Sequence, residues 1–326
     1  MIEDGPGWHS KGVSDQHRTT APRVEILVPR DVPLGGPRSM TVRRTLPQRH
    51  RSLIGAWCFL DHYGPDPVAE TGGMVVPPHP HAGLQTLTWL FAGEVEHRDS
   101  GGGHGVIRPG EISLMTAGHG ICHSEVSTDA TTSLHGVQLW IALPDSDREA
   151  ERDFHHAPAR RVLLDGAEVT VFVGELVGEQ SAAPVFTPLL GAEIVLAEGV
   201  TLDLGVDETF EHGILVDTGI VSVLEIPLAA HELGYVAPGE ARLSLRNLGV
   251  GAARVLLLGG TPFSEQIAMW WNFVGRDHDD ITAMRNAWAA RSARFGAVEG
   301  YAGEPGRLDA PEMPHVRIRP RTSTPR

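Results

Sequence analysis

The sequence predicts an all-β protein made of two similar β-units, with one helix near its C-terminal end. Three observations predict this. The 326-residue chain holds 38 glycines and 24 prolines, which favours tight turns and short strands over a helical bundle. Short apolar runs recur between turn signals at a spacing of about 8–12 residues, the rhythm of a sandwich or barrel. Both halves carry that rhythm without obvious sequence repetition. The length suits two domains, or three, each able to bury a sizeable core.

Residues 1–21 are polar and are expected to form a flexible leader. Residues 24–28 (VEILV) and 40–46 (MTVRRTL) are strand candidates through their β-branched content and alternation. In 83–90 (GLQTLTWL), Thr86 and Thr88 alternate with Leu87 and Trp89, and Ala92-Gly93 ends the run. Gly101-Gly102-Gly103 and Arg108-Pro109-Gly110-Glu111 are turns flanking a short strand at 106–107. Strands at 112–115 and 134–143 complete a first unit, 22–146. The charged run 147–152 (DREAER) opens a linker, 147–160, with room for one or two helical turns. A second unit, 161–262, carries strand signals at 161–164, 169–173, 192–196, 200–204, 213–216, 220–226, 234–236, 241–245 and 253–258. Residues 263–298 form a helical segment. Within it, 277–293 has an acidic first turn, arginine in the last turn and Gly296 as a stop. The Pro- and Arg-rich stretch 299–326 is expected to be a flexible tail.

Lys and Arg total 27 against 41 Asp and Glu, a formal charge of -14. That argues against direct nucleic-acid binding, which needs a basic face, and suits a basic partner surface. Cys58 and Cys122 stand far apart and no CxxC occurs, so a disulfide framework or thiolate zinc site is not expected. The cytoplasm is the expected location. No apolar signal core opens the chain, and no run of 18 apolar residues marks a membrane span.

Of 17 histidines, three belong to a pattern with chemical meaning. Pro78-His79-Pro80-His81 places imidazoles at i and i+2, and His123-Ser124-Glu125 places an imidazole and a carboxylate at i and i+2. On an extended chain, such pairs face one side. Two pairs on neighbouring strands would offer three neutral imidazoles and a carboxylate to one borderline divalent metal: Fe, Mn, Ni, Cu or Zn. Spacing alone leaves open a solvent-exposed His pair with no metal. No Walker loop, GxSxG or GxGxxG in a strand–helix context is present.

The surrounding wording is more specific. Five residues separate Gly73 from HxH, a strand follows and ends at Gly93, and a Pro109-Gly110 turn precedes His123; this layout resembles the paired motifs of the cupins. DHYGP (61–65), PHPHAGLQTLTWLFAGEVEHRDS (78–100), MTAGHGICHSE (115–125), HGVQLWIALP (135–144) and GGTPFSEQI (259–267) resemble the pirin family. The resemblance implies a bicupin: two double-stranded β-helix (jelly-roll) barrels face to face, with metal in the first only. It implies Fe(II) on His79, His81, His123 and Glu125, although Ni, Cu, Mn or Zn would suit the same ligands. It further implies a quercetin 2,3-dioxygenase-like enzyme acting on a flavonol or related enol with O2, with Glu125 as the catalytic proton acceptor. The alternative is a non-enzymatic, iron-dependent redox sensor that binds a regulatory protein partner. A monomer is the family's usual state.

Three positions depart from the family wording. Ala82 and Gln85 replace Arg and Glu after the HxH, which changes charge near the site. His119 replaces a common Arg and, on an extended 119–125, would face the same side as His123; a hydrogen-bonded core or rim role is the expected one. His62, His97, His104 and His135 are expected to hold turns or barrel walls, and His212 and His231 to be structural or surface residues. Glu94, Glu96 and Asp99 read as a solvated strand face. Cys122 reads as a small buried hydrophobe facing away from His123. Trp89, Phe91 and Trp140 read as core or pocket wall, and Trp270, Trp271 and Trp288 as helix-to-barrel packing.

Overall fold

The computed structural model describes residues 23–34 and 40–323; the expected leader lies outside the described residues. Two helices occur among these, Val68–Thr71 and His278–Ala289, and neither is long and apolar enough to cross a membrane. The strands build two units on one plan, each pairing a seven-stranded with a four-stranded antiparallel sheet. In the first, the large sheet runs Asp153–Pro158, Glu111–Thr116, Leu84–Ala92, Ser133–Ala142, Trp57–Pro67, Thr41–Leu46, Arg30–Pro33. Its small sheet runs Val75–His81, Ile121–Ser127, Val95–Asp99, His104–Ile107. The second has Glu25–Leu27, Leu233–Val236, Glu211–Thr218, Ala253–Gly260, Leu189–Leu196, Ala167–Val173 and Arg160–Leu164 in its large sheet.

Both large sheets are covered on two faces, which explains their apolar runs. Along Ala253–Gly260, Val255 and Leu257 fill the second barrel while Leu256 and Leu258 join a core shared by both barrels. Leu84–Ala92 divides its residues the same way. Leu87 and Trp89 enter the shared core, whereas Thr88 reaches inward to Glu125 and Gln138. The first barrel therefore has a polar interior at this level, and the second is packed with Val, Leu and Ile.

The shared core carries polar ties. Trp89 stacks on Phe172 at 4.7 Å, and its Nε1 donates to Glu193 Oε2 at 2.8 Å. Trp57 Nε1 donates to the Gly259 carbonyl at 3.0 Å. Gly55 has φ +53, and a Cβ there would lie 2.7 Å from Gly260 Cα, so close passage of these two segments requires glycine.

Several expectations are corrected. Glu25–Leu27 pairs with Leu233–Val236 of the second unit, so the first unit does not begin at residue 22. Asp153–Pro158, read as linker, pairs with Glu111–Thr116 of the first unit; its polar exposed face hid the strand. The charged run before it forms turns, not a helix. The 220–226 strand is a hairpin, Val221–Val223 with Ile226–Leu228. Leu224 and Glu225 turn it at φ 48 and 71, the positive values a two-residue hairpin needs. In 263–298, the pair Ala268–Trp270 and Phe273–Gly275 precedes the helix.

The helix starts as read, with the Asp277 side chain accepting from Asp279 N and Asp280 N. It ends earlier, before Gly296 is reached. Arg291 takes φ 54, its N–H bonds to Trp288 O, and Ser292 N bonds to Ala287 O, both at 3.0 Å. Those bonds form a Schellman closure around a non-glycine residue. Residues 299–323, expected to be flexible, lie along the first barrel and the helix. Leu308 N donates to Pro78 O at 2.8 Å and Trp288 Nε1 to Leu308 O at 2.9 Å, and Arg321 and Ile267 exchange backbone bonds. The stretch has little regular structure, and these anchors are what position it.

Phe172 is fully buried between the barrels. Phe172→Ala should cost about 3–5 kcal/mol, the range for deleting a buried aromatic, and should lower the urea midpoint for unfolding. An unshifted midpoint would contradict the shared-core reading.

Candidate metal centre

The four-stranded sheet of the first barrel assembles the histidines. Val75–His81 pairs with Ile121–Ser127, placing His123 opposite His79, and a register shift separates His123 from Glu125. On the other side, Val95–Asp99 places His97 opposite Glu125 and Asp99 opposite His123. The rings of His79, His81 and His123 lie 4.3–5.0 Å apart, centroid to centroid, and each offers a nitrogen within 4.8 Å of the others. Glu125 and His97 group with His123 under the same limit. The carboxylate meets this limit with His123 and His97, not with the whole His79, His81, His123 group.

Hydrogen bonding orients the rings. His79 Nδ1 donates to the Pro77 carbonyl at 2.9 Å, and His81 Nδ1 to the Asn272 carbonyl at 3.1 Å. A carbonyl only accepts, so each Nδ1 carries the hydrogen and each Nε2 keeps a lone pair. His123 Nε2 is buried with no hydrogen-bond partner among the described residues. Its Nδ1 lies 3.4 Å from His97 Nδ1.

Burial sets the charge states. It lowers His79 to about 4, with the neighbouring His97 acting in the same direction. It also takes His81 and His123 well below the ordinary imidazole range, each further lowered by its histidine neighbours. All three are neutral at pH 7, the form that binds metals. Burial raises the Glu125 carboxyl, partly opposed by His97 and by the Thr88 hydroxyl, which donates to Oε1 at 2.9 Å. A pocket of about 370 Å³ opens onto His79, His81 and Glu125, walled by Phe59, Trp140 and Trp271. Phe59 and Trp140 stack at 4.0 Å and 12°. Leu308 of the expected tail also lines this pocket.

The other singled-out residues fall in various places. Gln85 does not bear on the pocket: its Nε2 donates to Thr116 Oγ1 and, across to the second unit, to the Pro184 carbonyl. Its neighbour Ala82 is buried against Cys122 and the helix. His119 precedes the strand, is half exposed and pairs with Glu149 at 2.5 Å, so it faces solvent. Cys122 is buried away from the triad, its thiol raised to about 12 by burial. His104 is exposed and bonds Glu96 at 3.0 Å. His62 and His135 join the barrels, their Nε2 atoms lying 2.8 and 2.6 Å from Asp217 Oδ1. His231 packs against His62 at 5.2 Å. His212 is buried, with neither ring nitrogen partnered among the described residues.

Sequence reasoning misplaced Asp99, placed His97 in the barrel wall without its partners, and missed Asn272. Asp99 is buried, not solvated, and His97 bonds it at 3.0 Å. Their signal was present: in Val95-Glu96-His97-Arg98-Asp99 every second residue is buried. Asn272 carries no comparable signal, since it reaches the pocket from nearly 200 positions along the chain, and Trp271, read as packing, also walls the pocket.

Two antiparallel barrels packed on a shared core, the first with a histidine-lined interior, define a bicupin. The chain belongs to the pirin family: the Pirin model matches residues 39–141 and the Pirin C-terminal cupin domain residues 191–296. A Pseudomonas aeruginosa protein with the provisional name quercetin 2,3-dioxygenase is 44% identical over 306 residues, covering 94% of each chain. A pirin-like protein of Caulobacter vibrioides is 34% identical, covering 86% of this chain and 93% of its own. The crystal structure of quercetin 2,3-dioxygenase from Acinetobacter baumannii superposes with a TM-score of 0.85 at 39% identity, covering 91% of this chain and 97% of that one.

The buried imidazoles make metal-free stability depend on pH. His62 and His212 ionise near 6.5 when unfolded but near 4 in the fold, chiefly through burial. Below about pH 6.5 the unfolded chain binds more protons, so stability falls as pH drops towards about 4. Urea midpoints of metal-free protein at about pH 7 and about pH 5 should show that loss; equal midpoints would contradict it.

Proposed function

We propose that the first barrel binds one divalent metal through His79, His81, His123 and Glu125, and that the protein is a dioxygenase opening a flavonol or related enol with O2. The observation that carries this reading is the gathering of three neutral imidazoles within 4.8 Å of one another, two of which, His79 and His81, open onto a pocket that Glu125 also lines. The donor set fits the group: His123 Nε2 is otherwise an orphaned buried acceptor, a costly arrangement without a partner. The family resemblance favours Fe(II), and the same ligands suit Ni, Cu, Mn or Zn. The similarity to proteins named quercetin 2,3-dioxygenase supports the substrate class. Free, buried Cys58 and Cys122 agree with a cytoplasmic location.

When bound, the metal supplies Lewis acidity towards an enol oxygen and its neighbouring carbonyl. The protein supplies the rest. Phe59, Trp140 and Trp271 offer aromatic walls to a flat substrate and exclude water from the ring. Glu125 takes the proton of the substrate hydroxyl on a carboxylate oxygen, a transfer helped by the upward push of burial on its pKa. Thr88 donates to Oε1 and also to Gln138 Oε1 in alternate use of one hydroxyl, which keeps the carboxylate aimed at the pocket. The resulting anion is more electron-rich than the enol, and its reaction with O2 opens the ring.

Metal analysis and O2 uptake test the reading. Wild-type protein loaded with Fe(II), Ni(II) or Cu(II) should consume O2 with quercetin, and His79→Ala and His123→Ala should lose both metal and turnover. Glu125→Gln should lower turnover by about 100-fold or more, the scale of a lost proton acceptor. Equal metal content in wild type and both histidine variants would overturn the site. Metal-loaded wild type that leaves quercetin and O2 untouched would overturn the oxygenase assignment.

A further inference from the structure

Of the three imidazoles in the triad, only His123 has its distal nitrogen held by another side chain. His79 and His81 donate to backbone carbonyls, acceptors that no tautomer can change. His123 Nδ1 instead faces His97 Nδ1 at 3.4 Å. Two imidazole nitrogens meeting in this way share one hydrogen, so one must donate and the other accept. Which does so is decided one residue further along. His97 Nε2 lies 3.0 Å from Asp99 Oδ2. Asp99 Oδ1 accepts from Gly101 N at 2.7 Å and Gly103 N at 3.0 Å. Burial raises the Asp99 carboxyl, but the His97 bond and the Gly103 and Gly101 N–H groups outweigh it and keep it below its usual value. An ionised carboxylate only accepts.

From this geometry we infer that His97 and Asp99 are positioning residues that set the tautomer of His123. Asp99 requires the hydrogen on His97 Nε2. With that hydrogen on Nε2, the His97 Nδ1 facing His123 is the acceptor, and His123 donates from its own Nδ1. That leaves the His123 Nε2 lone pair free, on the buried atom that has no partner among the described residues. The arrangement is braced on every side. His97 stacks on Phe154 at 4.1 Å and 7°, the aromatic residue supplied by Asp153–Pro158. A Cβ on Gly103 would lie 2.1 Å from Asp99 Oδ2 and 2.7 Å from Phe154 Cβ, so glycine is needed for the loop to close over the carboxylate. The sheet register sets His97 beside Glu125 and Asp99 beside His123, which brings the chain of bonds to the ligand without a loop.

This inference rests on the metal-site reading above, and its test separates the two. Asp99→Asn is nearly isosteric. The two glycine N–H groups would hold the amide oxygen in the Oδ1 place and turn the amide NH2 towards His97. The hydrogens would then reverse along the chain: Asn donates to His97 Nε2, His97 Nδ1 donates to His123 Nδ1, and His123 Nε2 carries a hydrogen that blocks ligation. His97→Phe keeps a ring against Phe154 but removes the acceptor. His97→Gln restores an acceptor and a donor on one amide. Co(II) affinity should be measured by chelator competition, with the Co(II) visible spectrum recorded and the melting of each metal-free variant as a folding control. Asp99→Asn and His97→Phe should bind Co(II) about 10–100-fold more weakly, the scale for losing a group that orients a ligand, and His97→Gln should recover most of the affinity. Asp99→Asn with wild-type affinity and spectrum would overturn the positioning role while leaving the metal site intact. A wild type that binds Co(II) no better than His123→Ala would instead refute the metal site beneath it.

Discussion

Everything in this molecule depends on one strand having two faces with opposite tasks. Leu84–Ala92 must turn Leu87 and Trp89 outward into the core shared with the second barrel, and Thr88 inward to the carboxylate of Glu125. Strand geometry makes this possible, since successive side chains point to opposite sides. The apolar face binds the barrels together; the polar face keeps the first interior from filling with hydrocarbon. In the second barrel the corresponding interior is packed with aliphatic residues, and it serves as a support. A one-residue slip in register would exchange the two faces and lose both the shared core and the pocket.

Burying imidazoles is tolerable because they enter as neutral rings. A neutral imidazole needs a partner for its N–H, and the fold supplies one for His79 and His81 from backbone carbonyls. Charged rings at the same places would face desolvation and mutual repulsion together, which is why burial and like neighbours both push their pKa values down. The same low-dielectric setting acts in the opposite sense on Glu125, raising its carboxyl. Neutral imidazoles and a raised Glu125 carboxyl thus arise from one cause, burial between the sheets.

The site draws on distant pieces of the chain. The Asn272 carbonyl that orients His81 follows the second barrel, Leu308 comes from beyond the helix, and Phe154 comes from a strand after the main body of the first barrel. The C-terminal stretch is held by backbone bonds to Pro78 and Ile267 and by the Trp288 indole. It forms part of the pocket wall despite having little regular structure. Asp217 of the second barrel bonds His62 and His135 of the first, a tie between the barrels whose residues do not line the pocket.

The sequence by itself determined the all-β character, the doubled plan and the two ligand-like pairs, because strand alternation, turn residues and i, i+2 spacing are local properties. It also held the signal for His97 and Asp99 in the alternation of 95–99. That signal could not separate a barrel wall from a hydrogen-bond chain, because the difference lies in which strand is the neighbour. The crossing of Glu25–Leu27 into the second sheet, the strand at Asp153–Pro158 and the anchoring of 299–323 were decided only in three dimensions. The first was marked as a strand but its partner was not, and the other two are polar or half exposed, so no hydrophobic period marked them. Solvent-facing residues such as His119, and Gln85 turned towards the other barrel, were likewise beyond reading from spacing. An imidazole's role depends on what lies across a sheet or beyond an interface, and those neighbours are brought there by tertiary packing.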